Sequence, residues 1–425
     1  MKTGILVDHE PVDGGRIVRV LLRVEADAPP KHDRLPLNLS LVLDRSGSMH
    51  GAKLAAARAA AALLVRRLSP DDVVSVVAYD DSVATIAEPA KGDAQATLPR
   101  QIEAIETGGS TNLSGGWLRG RELLGRNRLE GGINRLMLLT DGLANVGILF
   151  PQQLTGLAAQ GKTDGITTTT IGFGTDYDEH LLRAMADAGG GSMYYIENPD
   201  QAASIFGDEL QDLIALGAQN VTVTIRPAPV ARLTTVHHDY PRTSAGTALT
   251  LELGDIYARE PKPLLIELMV AGANETDTTV LDLSVEGDVL TAGGGVERQV
   301  VTLPVVLTAG EEVRVEPEVR KDLLLMDAAK ARQDALSLSE QGDWDGAAAL
   351  LRATGAQLRE AGLDDAIVAE HAADLSVMAS TFTARTISAA DCKYMHQRAS
   401  DARRGRRLKE DLIRRMKEEE KLPEA

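Results

Sequence analysis

The pattern of apolar and polar positions divides the 425-residue chain into four zones. In residues 1–35, the stretch Arg16–Glu25 alternates as a strand does, and Pro29-Pro30 breaks it. Residues 36–215 carry four short apolar runs: Leu37–Leu43, Val73–Tyr79, Ile133–Thr140 and Ile166–Phe173. Each has the length of a strand buried on both faces. Between and after them, Ala52–Leu68, Gln101–Ile105, Leu113–Leu124, Pro151–Ala159 and Glu179–Ala188 read as helices. This alternation predicts an α/β fold, a doubly wound and mostly parallel sheet covered on both faces.

Residues 216–317 show only strand patterns: Val221–Ile225, Ala248–Leu253, Pro263–Val270, Thr278–Val285 and Gln299–Leu307, separated by Gly, Asp or Asn turns. They predict an antiparallel β-sandwich. The N-terminal strand has no α/β partner and is expected to complete that sandwich, which makes the α/β domain an insertion. Residues 318–425 are helical. Val319–Gln341 and Trp344–Ala361 flank Gly342-Asp343, and Gly342–Leu351 resembles the turn and second helix of a tetratricopeptide unit. One unit does not make a stacking array, so a helical hairpin is expected. Arg403–Ala425 holds nine basic and six acidic residues, with Leu408, Leu412 and Met416 four apart. That is a charged helix with a narrow apolar stripe, suited to solvent, to an acidic partner or to another helix.

Composition narrows the function classes. A net charge of −17 argues against a nucleic-acid partner, because it repels a phosphate backbone. With aromatic residues at 3%, the core must be built from aliphatic side chains. The single cysteine, Cys392, excludes an internal disulfide framework and a thiolate metal cluster. The apolar run Gly4–Val7 is stopped by Asp8, His9 and Glu10, too short for a signal peptide, and Leu54–Val65 is too short to span a bilayer. A cytoplasmic protein with no membrane partner is expected.

Candidate chemistry gathers at strand ends. Leu41–Asp44 is an apolar strand end, followed by Ser46 and Ser48 before a helix. Taken alone, Asp and Ser there also read as helix caps. Gly108-Gly-Ser-Thr111-Asn precedes a second helix, and Asp141 ends a second apolar strand. Ligands of open α/β sheets bind beyond the carboxyl ends of strands, where all three loops fall. The set offers two carboxylates and three hydroxyls with no nitrogen or sulfur. Such hard donors suit Mg²⁺, with Mn²⁺ next, and Ca²⁺ would usually take more carboxylates from a continuous loop.

The order Asp-x-Ser-x-Ser, Thr, Asp resembles the metal-ion-dependent adhesion site of the von Willebrand factor type A domain. Asp44, Ser46, Ser48, Thr111 and Asp141 match its five positions, and the resemblance covers residues 36–215. It implies a Rossmann-like fold and a Mg²⁺ held directly by Ser46, Ser48 and Thr111, with the aspartates partly bridging through water. It further implies that a Glu or Asp of a partner protein completes the metal's coordination. The whole chain resembles stand-alone bacterial-type proteins of this class. Met49, Asn112 and Leu143 adjoin the candidate ligands and are expected to form the partner-binding rim. The acidic surface predicts that the partner surrounds its carboxylate with basic residues.

Other readings stay open beside this one. Intracellular relatives of this class often serve as regulatory subunits or adaptors of AAA+ ATPases or of kinase–phosphatase assemblies. A Mg²⁺-dependent hydrolase is a third reading, but no base or cationic clamp is visible. Gly172-Phe-Gly174 lacks the third glycine of a dinucleotide fingerprint, since Tyr177 stands there, and Gly189–Ser192 reads as a turn. The eight histidines show no zinc spacing, and His237-His238 would face opposite sides of a strand. His50 reads as a solvated rim residue. No catalytic residue is assigned, and no enzyme activity is expected.

Overall fold

A computed structural model of the chain describes residues 1–27, 34–258, 260–271, 276–291, 295–310 and 313–405. The stripe Leu408, Leu412 and Met416 lies outside the described residues. Two antiparallel strands open the chain, β1 (Lys2–Val12) and β2 (Gly15–Glu25). The sequence pattern gave only β2. β1 is masked in the sequence because it buries two polar residues, Asp8 and His9.

The α/β segment follows in the order β3 (Leu37–Asp44), α1 (Ala52–Arg66), β4 (Val73–Tyr79), β5 (Val83–Lys91), α2 (Leu98–Glu103), α3 (Leu113–Arg126), β6 (Ile133–Thr140), α4 (Pro151–Thr163), β7 (Ile166–Phe173), α5 (Glu179–Ala188), β8 (Gly190–Ile196) and α6 (Ala202–Ile214). Its sheet runs β5-β4-β3-β6-β7-β8, parallel except for β5, which pairs antiparallel with β4. β3 and β6 are buried at every position, which is why they read as unbroken apolar runs. From β3 the chain winds outward through β4 to β5. It then returns to β6 on the other side of β3 and winds outward again. The switch point of this sheet therefore lies between β3 and β6, the position beyond the strand ends where open α/β sheets bind their ligands.

The strand zone contains β9 (Leu216–Pro227), β10 (Ala231–Val236), β11 (Arg242–Ala245), β12 (Ala248–Tyr257), β13 (Lys262–Ala271), β14 (Thr278–Thr291) and β15 (Gly295–Leu307). They form two antiparallel sheets, β1-β2-β13-β10 and β11-β12-β9-β14-β15. Because β2 pairs with β13 (Val20 opposite Ile266), the α/β segment interrupts, in sequence, the strands of a single sheet. Val18, Val20, Leu22, Leu264 and Ile266 from the first sheet share one apolar core with Val221, Val223, Leu251 and Leu283 from the second. His237 and His238 follow the end of β10 and are not strand residues.

Four helices close the described chain: α7 (Pro317–Glu340), α8 (Trp344–Glu360), α9 (Ala366–Ala384) and α10 (Ala389–Arg403). Gly342, at φ +86°, makes the turn between α7 and α8, a conformation that disfavours any Cβ. Asp343 caps α8 by accepting from Gly346 N at 2.9 Å. Ala328, Ala335, Ala348 and Leu351 pack with Leu375 and Phe382 of α9 into a core that mixes alanine with larger apolar side chains.

Two buried histidines, His238 just after β10 and His371 on α9, make the fold acid-sensitive. Burial drives His238 down to about 3, with the charges of His237, Arg403 and Lys262 acting in the same direction. Burial likewise drives His371 down to about 3, helped by the neighbouring Arg332 and Arg398. In the unfolded chain each would protonate near the ordinary histidine value, so the unfolded state binds more protons between the two values. Stability is therefore full above about pH 6.5 and falls as pH drops, by up to about 1.4 kcal/mol per pH unit for each histidine. Urea unfolding followed from pH 7.5 to 4.5 is expected to show this slope. The His371→Gln variant should show a shallower one, and an unchanged slope would contradict the assignment.

Candidate metal centre

Asp44 ends β3, and Asp141 directly follows β6. The two strands are parallel neighbours with Leu43 opposite Leu139, so both carboxylates stand at the switch point of the sheet. Both are completely buried. Ser46 and Ser48 lie on the short 3₁₀ turn region between β3 and α1, and Thr111 lies just before α3.

These residues touch one another. Ser46 Oγ and Ser48 Oγ are 3.1 Å apart, and Ser48 Oγ donates to Asp141 Oδ1 at 2.6 Å. Asp44 Oδ1 accepts from Ser46 N at 2.8 Å, while Thr140 Oγ1 donates to Asp44 Oδ2 at 2.6 Å. A Cβ placed on Gly142 would lie 3.4 Å from Ser48 Oγ and 3.7 Å from Thr111 Oγ1, so both hydroxyls converge on one small space. Ser48 alone of the five is exposed to solvent. The structure thus gathers all five candidate residues around a single crevice.

Backbone hydrogen bonds lace the three loops. Gly47 N donates to Gly109 O at 2.8 Å and Gly108 N to Arg45 O at 2.7 Å. Thr111 N donates to Asn145 Oδ1 at 2.8 Å, and Thr111 O accepts from Asn145 N at 3.1 Å. Asp80, at the end of β4, buttresses the whole: its carbonyl accepts from Asn112 N at 2.7 Å, and its carboxylate accepts from Ser82 and Gly109. A Cβ on Gly108 would stand 1.6 Å from Asp80 Oδ2, so only glycine lets this loop close.

The electrostatics follow from burial. Burial raises Asp44 above the usual carboxylate value, and the charge of Asp141 adds to the rise, against hydrogen bonds from Ser46 and Thr140. Burial works in the same direction on Asp80, but hydrogen bonds from Ser82 and Gly109 and the charge of Arg45 hold it below its ordinary value. Lys53, which follows Ala52 at the start of α1, places Nζ 2.6 Å from Asp141 Oδ2.

Sequence reasoning missed Lys53, Thr140, Asp80 and Asn145. All four act across loops distant in sequence, and no short spacing marks them. Of the expected rim, Met49 needs correction: it is completely buried, because the 3₁₀ turn that presents Ser48 carries the next side chain inward. Asn112 is half-buried and spends its Oδ1 on capping α3, accepting from Gly115 N at 2.9 Å. Leu143 is 59% exposed, and the same loop also exposes Leu149 at 49% and Phe150 at 67%. Among the described residues, no group of three or more His, Cys, Asp and Glu side chains is placed to hold a metal. This cluster differs in kind, because three of its five donors are hydroxyls. Among the described residues, no helix is long and apolar enough to cross a membrane.

Residues 38–208 match the family model of the von Willebrand factor type A domain. The α/β segment is a domain of that class, and such domains are generally protein-interaction modules that commonly bind a divalent metal. An uncharacterised protein of Synechocystis sp. is 28% identical over 82% of this chain and 85% of its own length. Among solved structures, the von Willebrand factor type A protein from Catenulispora acidiphila superposes with a TM-score of 0.69 at 19% identity, covering 89% of this chain and 96% of that one. The ArnB paralog VWA2 from Sulfolobus acidocaldarius gives 0.58 at 17% identity, over 95% and 97%. At these identities the likeness is one of fold, and it extends through the strand and helical zones.

Proposed function

We propose that the α/β domain is a non-enzymatic, metal-dependent binding module. In this reading Asp44, Ser46, Ser48, Thr111 and Asp141 hold Mg²⁺, with Mn²⁺ as a substitute, and the bound ion takes a Glu or Asp side chain of a partner protein. The observation that carries it is the convergence of two wholly buried carboxylates and three hydroxyls on one crevice at the sheet's switch point. The residues fit the ion chemically. The donors are all hard oxygens, and two buried aspartates one strand apart repel each other until a cation compensates them. When bound, the metal supplies Lewis acidity toward an anionic oxygen.

The protein's own groups favour binding over hydrolysis. Asp44 accepts from Ser46 and Thr140, and Asp141 accepts from Ser48 and Lys53, so neither carboxylate stands free as a general base. Leu143, Leu149 and Phe150 expose apolar surface on the loop that follows Asp141, and that loop is pinned to Thr111 through Asn145 and Val146 and to Ser114 of α3 through Ile148. Asp81, Glu106 and Asp176 are exposed on loops at the same edge of the sheet, which favours a partner whose acidic residue is surrounded by basic ones.

Affinity capture with the immobilised chain, in Mg²⁺ and in EDTA, tests the reading with Thr111→Ala as the paired variant. Partner retention is expected only for wild type in Mg²⁺. A partner held equally in EDTA, or by the variant, would rule out a metal-mediated contact.

A further inference from the structure

The charge count at the crevice singles out Lys53. Asp44 and Asp141 are wholly buried, and of the two only Asp141 has a cationic partner among the described contacts. Lys53 Nζ sits 2.6 Å from Asp141 Oδ2, while Ser48 Oγ holds Oδ1 of the same carboxylate at 2.6 Å. The lysine side chain is 28% exposed, so its ammonium is only partly open to solvent. Arg45, next to Asp44 in sequence, does not alter the count, because Asp80 neutralises it at 3.2 Å. An ion pair with a wholly buried carboxylate is poorly screened by solvent, so this positive charge is a fixed part of the centre.

Two aspartates and Lys53 give the crevice a charge of −1. A divalent cation brings it to +1, whereas without the lysine the same ion would bring it to zero. We propose that Lys53 makes the loaded centre anion-seeking: it leaves the site one negative charge short, and a carboxylate from outside supplies that charge. This deepens the metal-binding reading and rests on it. It also assigns Lys53 a cost, since its charge opposes the metal. Metal and external carboxylate must therefore reinforce each other, each tightening the other's binding by the same factor.

The test titrates Mg²⁺ calorimetrically in sodium chloride and in sodium acetate of equal ionic strength, acetate being the carboxylate probe. For wild type, acetate is expected to tighten Mg²⁺ binding several-fold. Lys53→Met is expected to bind Mg²⁺ about tenfold more tightly in chloride, since the nearby unit charge is gone, and to lose the acetate effect. Lys53→Arg, which keeps the charge, should keep the acetate effect. Lys53→Gln serves as a second neutral variant should methionine disturb the packing, with thermal melting as the check on folding. A Lys53→Met chain that binds Mg²⁺ no more tightly than wild type, or that still responds to acetate, would overturn the proposal. Wild type that binds no Mg²⁺ would be a different failure, bringing down the metal reading itself and this inference with it.

Discussion

Asp374→Ala is expected to destabilise the chain's helical region by about 3–5 kcal/mol, the cost of stripping one partner from a buried ion pair. Arg332 on α7 is completely buried and donates to Asp374 Oδ2 at 2.8 Å. Arg398 on α10, 5% exposed, approaches the same oxygen at 3.3 Å. One carboxylate of α9 thus ties two guanidinium groups from two other helices. His371, also on α9, faces Arg332 at 3.4 Å as a neutral ring and cannot take over the charge. Without Asp374 the two cations repel each other, and Glu370, 3.6 Å from Arg398 and 36% exposed, offers only partial compensation. Urea unfolding of the full chain measures the effect. Asp374→Asn should lose most of the same stability, because shape is kept and charge is not. Adding Arg332→Met to Asp374→Ala should recover part of it by removing the stranded cation. A loss below about 1 kcal/mol would mean that the pair behaves like an exposed surface bridge.

The sequence pattern was most legible where burial is uniform. β3, β4, β6 and β7 emerge as apolar runs because both faces of that sheet are covered. β5 was missed because it is a half-exposed edge strand carrying Glu88 and Pro89. α6 was missed although Ala202, Phe206, Leu210 and Leu213 form a buried stripe, since Gly207 and the buried Glu209 interrupt the apolar period. At the crevice, the five oxygen-bearing residues could be read from order and strand context. Their buttresses could not, because Asp80, Asn145 and Thr140 act through contacts that only the folded loops create. Met49 shows the limit of adjacency in sequence. A residue beside Ser48 need not share its direction, and a tight turn sends the two side chains opposite ways.

Asp44→Asn is expected to separate stability from metal binding, moving them in opposite directions. Asp44 is a charge buried at the end of a central strand, held up by two hydrogen bonds and repelled by Asp141. Burial of that charge is unfavourable in the metal-free protein, which is why its carboxyl is pushed above the usual value. Asparagine keeps the volume and can still accept from Ser46 N through its carbonyl oxygen. It gives up the bond from Thr140 Oγ1 in exchange for relief from desolvation and repulsion. In EDTA the variant should therefore be at least as stable as wild type, and up to about 1 kcal/mol more so. Mg²⁺ should bind at least about 100-fold more weakly, because one of two charged donors is lost from a crevice whose other donors are neutral hydroxyls. Thermal melting with and without Mg²⁺ reads both effects at once. Wild type should gain stability with added metal and the variant should not. A variant destabilised in EDTA would show that Asp44 is kept for folding, and one that still gains from Mg²⁺ would place the metal elsewhere.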